Sequence, residues 1–227
     1  MQFLLWRRMH PSTAFKDYFS EIVRKDLARG TPHPTLGPKL TNGVFGFSGR
    51  KTFPSLVRRY GILPDDSCVD YGCGTLRIGV HAITYLSPHR YWGMDISELF
   101  LAEGLKLIGS DLAREKAPHL RVISRATIAE AAAAKPKLVF SANVLLHVHP
   151  DELSEYLANI LTIMGGTGVG AITGSWHTSR TSQMARQTWV HSEKVLRVAT
   201  RSAGGQIVFY PTKTIGEGSI SGLMELR

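Results

Sequence analysis

The chain has 227 residues, 43% hydrophobic and 20% charged, with a formal net charge of +9 and two cysteines. This length suits one α/β domain with an N-terminal extension, and no apolar run approaches the ~20 residues a bilayer-spanning helix needs. Cys68 and Cys73 lie on one strand and its turn; their spacing is not a zinc pattern, and nothing in it argues for a disulfide.

The charge is unevenly placed, +8 on residues 1–60 and +1 on the rest. The basic character is concentrated in the N-terminal part, which comprises a leader, residues 1–52, and the start of the domain, residues 53–227. Such a leader reads either as a solvated helix with surplus lysine and arginine or as a dock for nucleic acid, anionic lipid or an acidic substrate. Met1 to Arg8 places its short apolar part before the arginines, the wrong order for a secretory signal. A cytoplasmic protein is expected.

Ser12 to Ala28 has a helical stripe of Phe15, Tyr18, Phe19, Ile22, Val23 and Leu27, with Ser12 as cap and Gly30 as stop. The stripe is expected to pack on the domain or cover a ligand cleft. Thr31 to Lys51 is rich in Pro and Gly and contains Phe45-Gly46-Phe47-Ser48-Gly49-Arg50; it reads as a lid or as a connector with buried phenylalanines. Phe53 to Tyr60 is a short helix ended by Gly61. Ser67 to Tyr71 is a first strand, Gly72-Cys73-Gly74 a turn, and Leu76 to Leu86 a helix. A second strand ends at Asp95. Ser97 then caps a helix with Leu99, Ala102, Leu105 and Ile108 inward. Leu120 to Ser124 is a third strand, Thr127 to Ala134 a short helix and Leu138 to Ser141 a fourth strand. Asp151 to Met164 is a helix, Val169 to Thr173 a fifth strand, and Ser192 to Ser202 the last helix. Gln206 to Tyr210 and Ser221 to Glu225 form a strand pair. The sum is a Rossmann-like open α/β sheet, mostly parallel with a C-terminal antiparallel strand. Ligands of such sheets bind beyond the C-terminal strand ends. That edge collects Asp70 to Gly74, Asp95, Ser141 to Asn143 and Ser175 to His177.

The glycine turn argues about its ligand. A dinucleotide fingerprint needs a third glycine where Arg77 stands, and Asp70 would repel a pyrophosphate. The Asp70 carboxylate suits a ligand with ammonium or sulfonium groups instead. Asp95, ~20 residues or somewhat more beyond the glycines, is placed to accept ribose hydroxyls. Adenosine with a cationic tail fits the two acids.

Asp70-Tyr71-Gly72-Cys73-Gly74-Thr75-Leu76-Arg77 resembles the first loop of bacterial class I S-adenosylmethionine-dependent methyltransferases with Asp-x-Gly-Cys-Gly-(Ser/Thr)-Leu-Arg. Tyr91-Trp92-Gly93-Met94-Asp95-Ile96 is similar to the end of their second strand, and Leu138 to Val148 to their fourth strand and its turn. The resemblance implies S-adenosylmethionine as cofactor and S-adenosylhomocysteine as product. It implies that Asp70, Tyr71, Gly72, Cys73, Gly74, Asp95, Ile96, Ser141, Ala142 and Asn143 bind the cofactor. The family has an acid for the adenine amine after the third strand. Arg125-Ala126-Thr127 follows here, so Thr127 or a backbone carbonyl takes that place. Arg77 is read either as a partner of the cofactor carboxylate or an acidic substrate, or as one half of a surface ion pair.

The sulfonium is an activated donor, so the protein must align a nucleophile and exclude water. His147, just past the fourth strand, is a candidate base, or else caps its own turn. His149 belongs to the helix start beside Pro150. His177, after Trp176, is a candidate substrate contact or a surface residue. The expected activity is O- or N-methylation of a small molecule such as a sugar or secondary metabolite. The alternatives are an RNA or protein methyltransferase docking through its leader, a non-catalytic methyltransferase-like subunit, and, last, a dinucleotide oxidoreductase.

Overall fold

The computed structural model describes residues 6, 8, 10, 13–29, 49–185 and 187–227. The expected cap Ser12, the stop Gly30 and the Thr31–Lys51 loop as far as Ser48 lie outside the described residues.

Helix α1 (Phe15–Ala28) and helix α2 (Thr52–Tyr60) precede the sheet. Then come β1 (Cys68–Tyr71), α3 (Gly79–Tyr85), β2 (Tyr91–Asp95), α4 (Glu98–Lys116), β3 (His119–Val122), α5 (Arg125–Ala133) and β4 (Leu138–Ala142). Two 3-10 turns, Leu145–His147 and Pro150–Glu152, lead into α6 (Leu153–Met164) and β5 (Val169–His177). A hairpin, β6 (Ser182–Ala185) and β7 (Thr188–Ser192), precedes α7 (Glu193–Ser202), and β8 (Ile207–Gly216) and β9 (Ser219–Leu226) close the chain. Strands lie in the order β3-β2-β1-β4-β5-β7-β6, with β9 on β5 and β8 on β9. The pairs from β3 to β5 are parallel, whereas β9 runs antiparallel to β5 and β8. This is the expected mixed α/β architecture.

The central strands are apolar without alternation because both faces are covered. Cys68, Leu138 and Phe140 meet Phe53, Leu56, Leu76 and Ile83 on one side. Val69, Tyr71 and Val139 meet Tyr156, Leu157, Ile160 and Leu196 on the other. A third cluster seats α1: Phe15, Tyr18, Phe19 and Val23 are buried with Phe100 and Trp189. Each such side chain contributes about 1.5–3 kcal/mol on burial. That outweighs the ~0.2–1 kcal/mol of a half-exposed ion pair such as Lys16–Glu155 at 2.8 Å. The apolar stripe, not the charge, docks α1.

Four sequence expectations are corrected. The helix after the glycine turn starts at Gly79, not Leu76, because Leu76 takes a left-handed φ of 60°. The buried face of α4 is Phe100, Leu101, Gly104 and Ile108, while Leu99 and Leu105 are exposed. Spacing of three drifts around a 3.6-residue helix, and Gly104 leaves room for Leu76, whose Cγ would lie 2.7 Å from a Cβ there. Ser124 ends no strand but caps α5. Finally, β5 runs on to His177, because β9 pairs with it from Gly170 to His177. On its other edge β4 stops at Ala142, and β7 pairs in parallel with Trp176 and His177. The β6–β7 hairpin has no counterpart in the sequence reading. Among the described residues no helix is long and apolar enough to cross a membrane.

Candidate active site

The loop after β1 is tied to the end of β2. The Gly72 and Cys73 N–H groups both donate to the Met94 carbonyl, at 2.7 and 3.0 Å. Gly72 has φ 83°, and a Cβ there would collide with Val144, so two independent constraints require glycine. Gly74, at φ 54°, donates its N–H to Asp95 Oδ2 at 2.8 Å, and a Cβ there would meet nothing within 4 Å. Leu76 and Asn143 are left-handed without being glycine. Such positions cost on the order of 1–3 kcal/mol and cluster at functional sites. Leu76 is held in place by complete burial, and Asn143 by its N–H on the Thr173 carbonyl at 2.9 Å.

Beyond these strand ends lies a cavity of about 480 Å³, within the range of small-ligand sites. Asp70, Tyr71, Gly72, Cys73, Gly74 and Arg77 line it from the first loop, and Asp95 and Ile96 from the second. Ala142 and Asn143 enter from the end of β4, and His147 from the turn beyond. Lys16 and Phe19 of α1 form one wall, and Glu152, Glu155, Tyr156 and Asn159 another.

The two acids are buried. Asp70 accepts from Tyr91 Oη at 2.9 Å. Burial, with the Asp95 charge adding to it, pushes the Asp70 pKa up to about 8 against that hydrogen bond. Burial also raises Asp95 to about 6, opposed by backbone donors at Gly74, Ser97 and Ile96. Burial lowers the pKa of Arg77, and no described group pairs with its guanidinium. The Cys73 thiol is held far above its ordinary value by burial, so it is no nucleophile at neutral pH.

Three expected site residues lie outside the cavity, for separate reasons. Thr127 forms a capping box with Ser124 and donates its hydroxyl to the Val122 carbonyl at 2.7 Å. Ser141 is buried behind the first loop: it donates to the Tyr71 carbonyl at 2.7 Å and accepts from Tyr156 Oη at 2.7 Å. It braces the loop backbone. His177 is 6% exposed, and its Nδ1 accepts from the Ser179 and Arg180 N–H groups at 3.1 and 3.2 Å. It belongs to the end of β5 and the turn after it. His149 accepts from the Asp151 N–H at 3.2 Å, capping the Pro150–Glu152 turn.

Lys16, Glu152, Glu155 and Asn159 were not expected at the site, whereas Phe19 lay on the stripe expected to pack on the domain or cover a ligand cleft. Glu152 carried a different signal: its place in the first turn of a helix explains the acid locally, but its Oε1 accepts the Lys16 N–H at 3.1 Å. It thus satisfies an open N–H at the start of another helix, a contact no local pattern encodes.

No protein-family model matches the sequence, and no curated protein matches it significantly. Solved structures do. The magnesium protoporphyrin IX methyltransferase of Synechocystis PCC 6803, solved with bound S-adenosylmethionine, has a TM-score of 0.58 at 19% identity, over 95% of this chain and 97% of that one. The 1,6-didemethyltoxoflavin-N1-methyltransferase of Burkholderia thailandensis, solved with its acceptor and S-adenosylhomocysteine, has 0.58 at 19%, over 95% and 91%. The 4+2 cyclase SpnF has 0.53 at 15%, over 71% and 60%. The architecture is therefore the class I fold of S-adenosylmethionine-dependent methyltransferases, a fold shared with a protein described by a different reaction.

Proposed function

We propose that this protein is an S-adenosylmethionine-dependent methyltransferase acting on oxygen or nitrogen of a small-molecule acceptor. The proposal covers residues 53–227 as the methyltransferase unit, residues 1–52 as its leader, and the loop type with Leu76-Arg77. One observation carries it: a loop of two left-handed glycines, a cation with no partner among the described residues and two buried acids converge on one small cavity at the strand ends.

The donor set fits the cofactor. Asp95 Oδ2 takes the Gly74 N–H and Oδ1 the Ser97 N–H, the latter at 3.3 Å. The three backbone donors leave the carboxylate acceptor capacity for a ribose hydroxyl. Ile96 and Ile123 offer apolar surface for adenine. Arg77, half-buried and with no partner among the described residues, suits the carboxylate of the amino-acid tail. Asp70 gains most from a neighbouring positive charge, because burial otherwise keeps it protonated. Bound S-adenosylmethionine supplies a methyl group on sulfonium sulfur. The protein then has to place the acceptor and keep water out. Phe19, Val144 and Val148 are among the apolar side chains that line the cavity, and Lys16 and Phe19 reach it from α1. A cavity of about 480 Å³ supports a small acceptor over a polymer. His147 faces the same cavity and is proposed as the group that takes the acceptor's proton.

Calorimetry tests the reading. S-adenosylmethionine and S-adenosylhomocysteine bind, and NAD does not. Asp95→Ala weakens binding by ~10- to 100-fold, the scale of one hydrogen bond to a charged group. Unchanged affinity in that folded variant removes Asp95 from the site. His147→Ala leaves binding intact and lowers turnover by ~100-fold.

A further inference from the structure

The turn that carries His147 is gripped twice by the β6–β7 hairpin. His191, near the end of β7, is completely buried, and its Nε2 lies 3.0 Å from the Val148 carbonyl. At the other end of the strand, the Gln187 carbonyl lies 3.2 Å from His147 Nδ1. A carbonyl oxygen only accepts, so the ring nitrogen carries the hydrogen in both pairs. His147 is then protonated on Nδ1, and its proton-accepting nitrogen is Nε2. The same hairpin, through β7 and the turn just before it, holds the backbone one residue past His147 and the His147 ring itself.

We infer that His191 is a positioning residue for His147: by donating to the Val148 carbonyl it fixes the turn so that the His147 Nδ1–H meets Gln187, which makes Nε2 the basic nitrogen in the cavity. Burial supports this by lowering the His191 pKa and keeping that ring neutral. The use made of Nε2 rests on the methyltransferase reading; the brace does not. Free histidine favours the opposite tautomer, with hydrogen on Nε2, so the brace reverses an intrinsic preference.

The test needs no acceptor. Long-range ¹H–¹⁵N spectra of the full chain without ligand report the tautomer of each neutral histidine. Peaks are assigned with His147→Gln and His191→Phe. His147 is expected with the Nδ1–H tautomer in excess, the reverse of free histidine. His191→Phe, which lacks the donor, shifts His147 toward the Nε2–H form. His191→Gln, whose amide reaches as far as the ring Nε2, restores the wild-type signature. An Nε2–H His147 in the wild-type protein overturns the inference without any variant, even should His191→Phe fail to fold. So does an unchanged His147 signature in folded His191→Phe. Loss of turnover in His147→Ala is a separate readout, and its absence would count against the base and not against the brace.

Discussion

Replacing Asp70 with Asn separates the demands of folding from those of the ligand. The carboxyl is 2% exposed on β1, touched by the Tyr91 hydroxyl and faced by Asp95. Its pKa rises from an ordinary 3.8 to about 8 in the folded protein. Between those values the unfolded chain has released this proton and the folded chain still holds it. Folding therefore takes up a proton, and stability falls as pH rises, by about 1.4 kcal/mol per unit. From pH 5 to pH 7 the loss is roughly 3 kcal/mol, or ~5–10 °C in melting temperature for a chain of this size. Asn cannot ionise. Its amide costs ~1–3 kcal/mol if a buried N–H is left unpaired, but that cost is independent of pH. In urea titrations without ligand, the stability of Asp70→Asn relative to wild type should climb by about 1.4 kcal/mol per unit between pH 5 and pH 7. A pH-independent difference, or one that falls with pH, refutes the argument. The ligand makes the opposite demand. A cation at Asp70 binds the ionised form, so wild-type affinity for S-adenosylmethionine should rise up to about tenfold per unit below pH 8, and Asp70→Asn should lose that dependence.

Three further substitutions probe the loop and the seat of α1. Gly72→Ala should destabilise the fold by ~2–5 kcal/mol in denaturant titrations, because left-handed strain adds to the collision with Val144. Gly74→Ala, with open space around its Cβ, should cost only ~1–2 kcal/mol yet weaken S-adenosylmethionine binding by filling the cradle. Glu152→Ala removes the acceptor at the start of α1 and should loosen that helix by ~1 kcal/mol, the scale of a lost N-cap. Amide exchange should speed several-fold in residues 16–25 and stay unchanged in β4; equal protection in α1 would show that its apolar stripe alone holds it.

What the sequence determined by itself was local. Glycines at 72 and 74 imposed a left-handed turn, acids at 70 and 95 set the charge a ligand must complement, and unbroken apolar runs made strands covered on both faces. These properties depend on neighbours one to four residues away, so pattern reading reached them. The tertiary structure decided what depends on distant pairing. His177 looked like a loop residue until β9 extended β5 beneath it. Thr127 and Ser141 carry hydroxyls suited to a ligand, but the Val122 and Tyr71 carbonyls claim them. The hairpin at His191 was illegible because its strands are short, and one of them is set by pairing with Trp176 and His177. Lys16 and Glu152 meet across 136 residues of sequence. A hydrogen bond of that span is fixed by where two packed helices come to rest, which no periodicity in the chain records.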